Sequence, residues 1–154
     1  YGGGRVMSEH QLYFRHMQRA DLSVVEAIED AVFSRPWSKQ AFLQAMQQDT
    51  LFIVALEHNM VVGYCGMYCS FEEGEITNVA VSPQKHHQGI GRSMMRYLLG
   101  EAQSRGISRI ILEVRISNCN AIQLYKSLGF ENCGIRRNFY EMPREDGMVM
   151  VLVQ

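Results

Sequence analysis

VAVSPQKHHQGIGR, residues 79–92, is the stretch of sequence that decides the fold. Apolar residues typical of a strand lead through a proline and a glycine-rich turn into a long amphipathic run that is typical of a helix. The first backbone N–H groups of a helix have no partner within it, and the helix dipole adds positive potential at the same point. The stretch therefore predicts a main-chain site for a pyrophosphate near Gly89 and Gly91.

The spacing of the glycines argues against two common nucleotide-binding loops. A nucleotide-hydrolase loop requires a glycine five residues before Gly91, where this chain has His86, and a Lys-Ser/Thr pair after it, where it has Arg92-Ser93. A dinucleotide-binding loop that starts at Gly89 requires a third glycine where Met94 stands. The main-chain pyrophosphate site therefore indicates a different phosphate-bearing ligand.

The turn and the segments after it resemble the GNAT N-acetyltransferases, whose acetyl-CoA signature is Arg/Gln-x-x-Gly-x-Gly/Ala after a strand. The similar segments that follow are LEVR at 112–115, SN at 117–118, AI at 121–122, LYKSLGF at 124–130 and RRNFY at 136–140. The likeness runs from about Leu12 to the C-terminus and departs from the signature at His86, where the family has Arg or Gln. It implies a single-domain α/β protein with the GNAT (acyl-CoA N-acyltransferase) fold, a mixed central sheet flanked by helices.

The resemblance also implies the donor substrate and the residues that bind it. Acetyl-CoA is the implied donor, and the implied binding residues are Val79, Ala80, Val81, His87, Gln88, Gly89, Ile90, Gly91, Arg92 and Asn118. In the family the backbone of residues 79–81 pairs with the amides of the pantetheine arm like an added strand. An asparagine at position 118 suits either a helix cap or a hydrogen bond to that arm, and the resemblance favours the second role.

Two residues are candidates for the proton transfers. Glu113 interrupts an apolar strand, so its carboxylate must face solvent or line a polar cleft, where burial would raise its pKa and suit it to act as a base. The family match assigns Glu113 as the general base and Tyr125 as the general acid. The alternatives are a salt-bridged edge residue for Glu113 and a core tyrosine for Tyr125. A third candidate is Cys119, a thiol at a predicted helix start that could attack a thioester directly.

The expected acceptor is a protein α-amine. An α-amine has a pKa of about 7.7–8.0 against about 10.4 for lysine, so it is neutral far more often near pH 7 and needs only a modest base. Within the family, the chain resembles the bacterial enzymes that acetylate the N-terminal alanine of small-subunit ribosomal protein bS18, and the match implies acceptor contacts at Tyr140 and Trp37. The alternatives are an acetyltransferase for lysine or a small-molecule amine, and a CoA-binding interaction module without turnover.

Length and charge set further bounds. A chain of 154 residues suits one domain, and a formal net charge of −1 provides no general attraction to nucleic acid or to an anionic membrane. Residues 1–6, with three glycines ahead of Met7, are interpreted as an artificial leader, which leaves residues 7–154 as the acetyltransferase domain. Without a signal peptide or an apolar spanning run, the expected location is the cytoplasm. The expected partner is the ribosomal acceptor peptide, and association with a tRNA-modification protein is a further candidate.

The metal-ligating residue types show no metal-binding spacing. The four cysteines form no C-x-x-C pair, and the five histidines form no H-E-x-x-H motif. Reduced thiols and the absence of a metal are therefore expected.

Hydrophobic periodicity predicts the element order β-α-α-β-β-β-α-β-α-β-β. The first helix is expected to be capped by Asp21, or by Ser23 with Glu26 as a capping box. Ser38 and Asn118 are the expected caps of the second and fourth helices. The fourth strand is expected over residues 75–81 and the last over residues 148–153.

Overall fold

The computed structural model describes residues 12–154, in which seven strands and four α-helices alternate in the predicted order. The elements are β1 Leu12–His16, α1 Leu22–Val32, α2 Lys39–Met46, β2 Thr50–Glu57, β3 Met60–Ser70, β4 Glu73–Val81, α3 Ile90–Ser104, β5 Arg109–Arg115, α4 Cys119–Ser127, β6 Glu131–Tyr140 and β7 Glu145–Val153. Short 3-10 turns, Arg19–Asp21 and Pro83–Lys85, precede α1 and α3. The expected leader, residues 1–6, lies outside the described residues.

The strands form one mixed sheet in the order β1-β2-β3-β4-β5-β7-β6. The pairing of β4 with β5 is parallel, whereas the other neighbours pair antiparallel. This arrangement confirms the expected α/β class. It also places the one parallel junction among residues 12–154 at the start of β4, the strand that leads into the glycine-rich turn.

Helices cover both faces of the sheet and create two hydrophobic clusters. The α3 cluster lies on one face and centres on Met94, Leu98 and Ile110. The α1–α2 cluster lies on the other face and centres on Leu22, Phe42 and Tyr64. Because both faces of β2 are covered, its residues 51–56 read as a continuous apolar run and not as an alternating one.

The predicted caps of α2 and α4 are confirmed. Ser38 Oγ accepts a hydrogen bond from the backbone N–H of Ala41 at 3.1 Å, and Asn118 Oδ1 accepts one from Ala121 at 3.2 Å. Both polar side chains therefore satisfy an N–H group in the first turn of the helix that they precede.

The expected cap of α1 is confirmed in position only. Asp21 is the N-cap residue, but its side chain makes no hydrogen bond to the helix, and the alternative, Ser23, lies inside it. The carboxylate of Asp21 instead accepts the backbone N–H of Gln18 at 2.8 Å and two hydrogen bonds from the Arg15 guanidinium at 2.8 and 2.9 Å. It therefore ties β1 to the entry of α1.

Two strand starts also differ from expectation. β4 begins at Glu73 because Glu73 pairs with Ser70 directly after the turn, and β7 begins at Glu145 because Glu145 pairs with Tyr140. Both starts are glutamates that interrupt the apolar pattern: Glu73 is exposed, and Glu145 is half-buried in an ion pair with Arg115. Within residues 12–154, no helix has the length and apolar character that crossing a bilayer requires.

Candidate active site

The site begins where β4 and β5 separate. Their hydrogen-bonded register covers only three pairs and ends at Glu75 opposite Ile111. Beyond that point β4 pairs only with β3 up to Val81, while β5 pairs only with β7 up to Arg115. The facing edges of the two strands therefore diverge and carry backbone groups without a strand partner. We call this opening the wedge.

The wedge widens into a cleft of about 1160 Å³ between two inner strands of the sheet. One end is lined by residues 85–87 and 89–92 of the glycine-rich turn, and the other by the α1–α2 loop and the β6–β7 turn. The cleft is also lined by most of the predicted site residues, namely Val79, Ala80, Val81, His87, Gly89, Ile90, Gly91, Arg92, Glu113, Asn118, Tyr125, Trp37 and Tyr140. Gln88 is the predicted site residue that does not line it.

The glycine-rich turn has the geometry of an anion site. His87 and Gly89 both have positive φ values, 65° and 80°, which curl the backbone ahead of α3. α3 begins at Ile90, so the N–H groups of its first turn have no intrahelical acceptor. A Cβ placed on Gly91 would meet only ordinary contacts at 3.8 Å, so the protein's own packing does not require glycine there. The absence of a side chain instead leaves this end of the cleft open to a ligand.

His86 contacts the end of β4. Its Nε2–H donates to the carbonyl oxygen of Val81 at 2.7 Å, which links the glycine-rich turn to the strand that borders the wedge. Lys85 also lines the cleft and forms a 2.6 Å ion pair with Glu57. His86, which stands where the signature has Arg or Gln, thus stabilises the turn by a hydrogen bond within the protein.

Glu113 lies in the cleft and not in solvent, since its side chain is only 11% exposed. Its neighbours Leu112 and Val114 pack in the α3 cluster, so Glu113 projects from the opposite face of β5. Burial raises the pKa of Glu113, the nearby Glu75 raises it further, and Arg136, 3.6 Å away, acts in the opposite direction. A carboxylate with a raised pKa is a better proton acceptor than an exposed one.

Tyr125 and Tyr140 bring two phenols to the same cleft. Tyr125 is 8% exposed, and its ring packs against Phe130 with centroids 5.8 Å apart, so it is both a core residue and a cleft residue. Burial raises the pKa of Tyr125 well above its usual range. Burial and the neighbouring Glu113 raise the pKa of Tyr140 to about 12. Both hydroxyls therefore keep their protons at neutral pH.

The α1–α2 loop forms the wall that faces the β6–β7 turn. Trp37 lines the cleft while its ring packs on Phe42 at a centroid distance of 5.2 Å. On the opposite wall the Arg115 guanidinium lies 4.6 Å from the ring centroid of Tyr140. An ion pair at 2.7 Å between Arg35 and Glu141 joins the two walls. The two predicted acceptor-contact residues thus face the same space.

Two cleft residues were missed by the sequence interpretation. Glu29 on α1 is 2% exposed, and Asn78 on β4 is 3% exposed. The spacing Val25, Ile28, Glu29 already set the glutamate on the apolar side of its helix, a signal that could have identified it. Asn78 carried no such signal, because its burial depends on which strands and helices meet there.

The remaining candidates lie elsewhere. Cys119 is exposed at the start of α4 and, like Lys126, does not line the cleft. All four cysteines are free. Within residues 12–154 no group of three or more His, Cys, Asp or Glu side chains is arranged to hold a metal ion.

Strands that part beside a main-chain anion site, with a carboxylate and a phenol in the gap, define an acyltransferase fold. The profile of the Acetyltransferase (GNAT) family matches residues 13–130, and the chain belongs to that family. Two similar proteins are named [Ribosomal protein bS18]-alanine N-acetyltransferase. That of Escherichia coli is 33% identical over 138 residues, covering 88% of this chain and 93% of the relative. That of Haemophilus ducreyi is 34% identical over 135 residues, covering 86% and 93%.

A solved structure gives the same result. The crystal structure of the ribosomal-protein-S18-alanine N-acetyltransferase from Escherichia coli superposes with a TM-score of 0.88 at 32% sequence identity. The superposition covers 92% of this chain and 93% of that one. The fold and the family therefore agree.

Proposed function

We propose that this chain transfers the acetyl group of acetyl-CoA to the N-terminal α-amine of a protein, and that its acceptor is the N-terminal alanine of ribosomal protein bS18. The observation that carries the proposal is that Glu113, with its raised pKa, shares one cleft with the Tyr125 phenol and the main-chain anion site. The names of the two bacterial relatives support the choice of acceptor.

The cleft fits acetyl-CoA. The N–H groups ahead of Arg92 suit a diphosphate, and the unpaired edge of β4 at residues 79–81 suits the amides of pantetheine. Asn118 uses Oδ1 as a helix cap, which leaves its Nδ2 group to donate to the ligand. Bound in this way, acetyl-CoA supplies a thioester carbonyl as the electrophile.

Glu113 is the proposed general base. It takes a proton from the acceptor amine as the nitrogen bonds to the thioester carbon, and the raised pKa makes that transfer more favourable. Backbone N–H groups on the β4 edge around Val81 stabilise the negative charge that develops on the carbonyl oxygen.

Tyr125 is the proposed general acid. Its hydroxyl gives a proton to the sulfur as the carbon–sulfur bond breaks, and solvent then takes the proton from Glu113 and returns one to Tyr125. Burial raises the pKa of the phenol, but a thiolate released in the same cleft is also poorly solvated, so its own pKa rises and the transfer remains accessible.

The alternatives receive less support. A polyamine or lysine acceptor suits a strongly acidic cleft, but the glutamates that line this one, Glu29, Glu113 and Glu141, are matched by four cations: Arg35, Lys85, Arg92 and Arg115. A binding module without turnover would need no carboxylate beside the thioester, whereas Glu113 lines the cleft. We further assign the transferase domain to residues 7–154 and its location to the cytoplasm. The association with a tRNA-modification protein stays a prediction.

Steady-state acetylation tests the proposal. An alanine-starting bS18 peptide should be acetylated, its N-terminally blocked form should not, and a peptide with only a lysine amine should react slowly. Glu113→Gln and Tyr125→Phe should each reduce kcat by about 10²–10⁴ while calorimetric affinity for CoA is retained. Full activity of either variant would remove that residue from the mechanism, and no binding of acetyl-CoA would contradict the whole proposal.

A further inference from the structure

A buried carboxylate gathers three hydrogen bonds on one side of the cleft. Glu29 Oε2 accepts the backbone N–H of Trp37 at 2.9 Å. Glu29 Oε1 accepts the Tyr64 hydroxyl and also Asn78 Nδ2, the latter at 3.3 Å. The carboxylate thus joins α1, the α1–α2 loop, β3 and β4, and its side chain lines the cleft.

The contact with Glu29 fixes the orientation of the Asn78 amide. Because Nδ2 must face the carboxylate to donate, Oδ1 is directed away from it. Oδ1 is buried and has no hydrogen-bond partner among residues 12–154. Buried polar atoms in native proteins almost always have a partner, so this oxygen calls for a donor from outside the chain.

Asn78 and Glu113 lie opposite each other across the wedge. The last paired residues of β4 and β5 are Glu75 and Ile111. On β5, Glu113 is two residues beyond that pair. On β4, Asn78 is three residues beyond it, but one of the three is the extra residue of a bulge in the pairing with β3, so Asn78 and Glu113 lie at the same level.

The two side chains also project from the same face of the sheet. Asn78 alternates with Val79, which packs against the α3 cluster, and it shares its face with Ala80, which belongs to the α1–α2 cluster. Glu113 likewise projects away from the α3 cluster. The side chains of Asn78 and Glu113 thus lie on the sheet face covered by the α1–α2 cluster, where Trp37 also lines the cleft.

We propose that Asn78 is a further substrate-binding residue: its Oδ1 accepts one N–H of the acceptor's α-amine while Glu113 takes a proton from another. Glu29 is a positioning residue that acts through Asn78. The inference rests on the proposed function. Holding two hydrogens of the amine from opposite sides directs its lone pair toward the space between the strands, where the thioester carbonyl must lie. The site thereby selects primary amines, because a neutral secondary amine has one N–H and leaves Oδ1 unpaired.

The test pairs changes in the protein with a change in the acceptor. Asn78→Val and Asn78→Thr have nearly the same shape, but only the threonine retains an oxygen that accepts a hydrogen bond and a hydroxyl that donates to Glu29. The acceptors are an alanine-starting peptide and the same peptide starting with N-methylalanine. The measured quantity is the ratio of kcat/KM for the two peptides, with circular dichroism and calorimetric acetyl-CoA affinity recorded for each variant.

Wild-type protein should prefer the primary amine, and Asn78→Val should reduce that preference by roughly tenfold, the usual effect of one hydrogen bond to a buried group. Asn78→Thr should retain more of the preference than Asn78→Val. Equal losses on both peptides, or a matching loss of acetyl-CoA affinity, would overturn the inference, because the oxygen would then be structural, water-bound or part of the donor site. Failure of the wild-type protein to acetylate the alanine peptide would instead contradict the proposed function itself.

Discussion

Arg136 on β6 reaches across β7 to Glu113 on β5, with its Nε 3.6 Å from Glu113 Oε2. The guanidinium is more than half exposed, whereas the carboxylate is nearly buried. The pair thus places an exposed surface cation beside the proposed base. Its effect opposes that of burial, since a nearby positive charge favours the ionised carboxylate.

Replacing Arg136 with methionine should raise the pKa of Glu113 further, because the lowering influence of the cation is removed while burial and Glu75 remain. The base form exists only above that pKa, so the acidic limb of the kcat/KM profile should move to higher pH. The measurement is a pH–rate profile with the alanine peptide. Arg137→Met, at a neighbouring position that does not line the cleft, is the matched control, and an equal shift in both variants would contradict the assignment.

Gly91→Ala should separate binding from stability. A Cβ at Gly91 has room within the protein and alanine favours helices, so the melting temperature should stay at or above that of the wild type. The methyl group should nevertheless obstruct the diphosphate and weaken acetyl-CoA binding by at least tenfold in calorimetry. Gly100→Ala, later in the same helix where a Cβ would meet nothing within 4 Å, is the control that should keep its affinity. Unchanged affinity of Gly91→Ala would remove the turn from the donor site.

Asp21→Asn should lower stability in a pH-dependent way. Burial alone would raise the pKa of Asp21, but the hydrogen bonds from Arg15 and the Gln18 N–H outweigh it, and the pKa is lowered. The stabilisation is therefore present above the unfolded-state pKa of about 3.9 and is lost as the pH falls through the lower folded-state pKa.

At pH 7 the free energy of unfolding of the Asp21→Asn variant should be about 1–3 kcal/mol lower than that of the wild type. This difference should shrink below about pH 4. Urea unfolding at several pH values measures it. Asp30→Asn, an exposed position on α1, is the control expected to show no such gap. A gap that persists unchanged at low pH would show that the ionised carboxylate is not its source.

Tyr140→Phe should act mainly on the acceptor. The ring keeps its contact with the Arg115 guanidinium, so stability should change little, while the cleft loses a hydroxyl that is protonated at every working pH. We expect the KM for the alanine peptide to rise severalfold with a smaller change in kcat. Tyr68→Phe, on β3 and outside the cleft lining, should leave both parameters unchanged. A loss confined to kcat would point to a role in proton transfer and not in acceptor binding.

Sequence predicted the features that depend on near neighbours. Ser38 and Asn118 cap helices because their partners lie three residues away, and the glycine-rich turn follows from backbone geometry alone. For Glu113 the sequence left two outcomes, solvent or cleft, because the separation of β4 from β5 is a property of the assembled sheet. Asp21 holds the N-cap position of α1, but its carboxylate binds Arg15, six residues earlier on β1, and not the helix that it precedes. Asn78 was missed for the same kind of reason, since its partner Glu29 lies on a distant helix.

The short junction between β4 and β5 has a mechanical consequence. Only three residue pairs fasten the strands β1 to β4 to the strands β5, β7 and β6, so the sheet consists of two plates that share a brief seam. A ligand bound in the wedge contacts both groups of strands and should restrict their motion relative to each other. Donor and acceptor therefore stiffen the architecture that holds them, and slower amide exchange along the seam should accompany their binding.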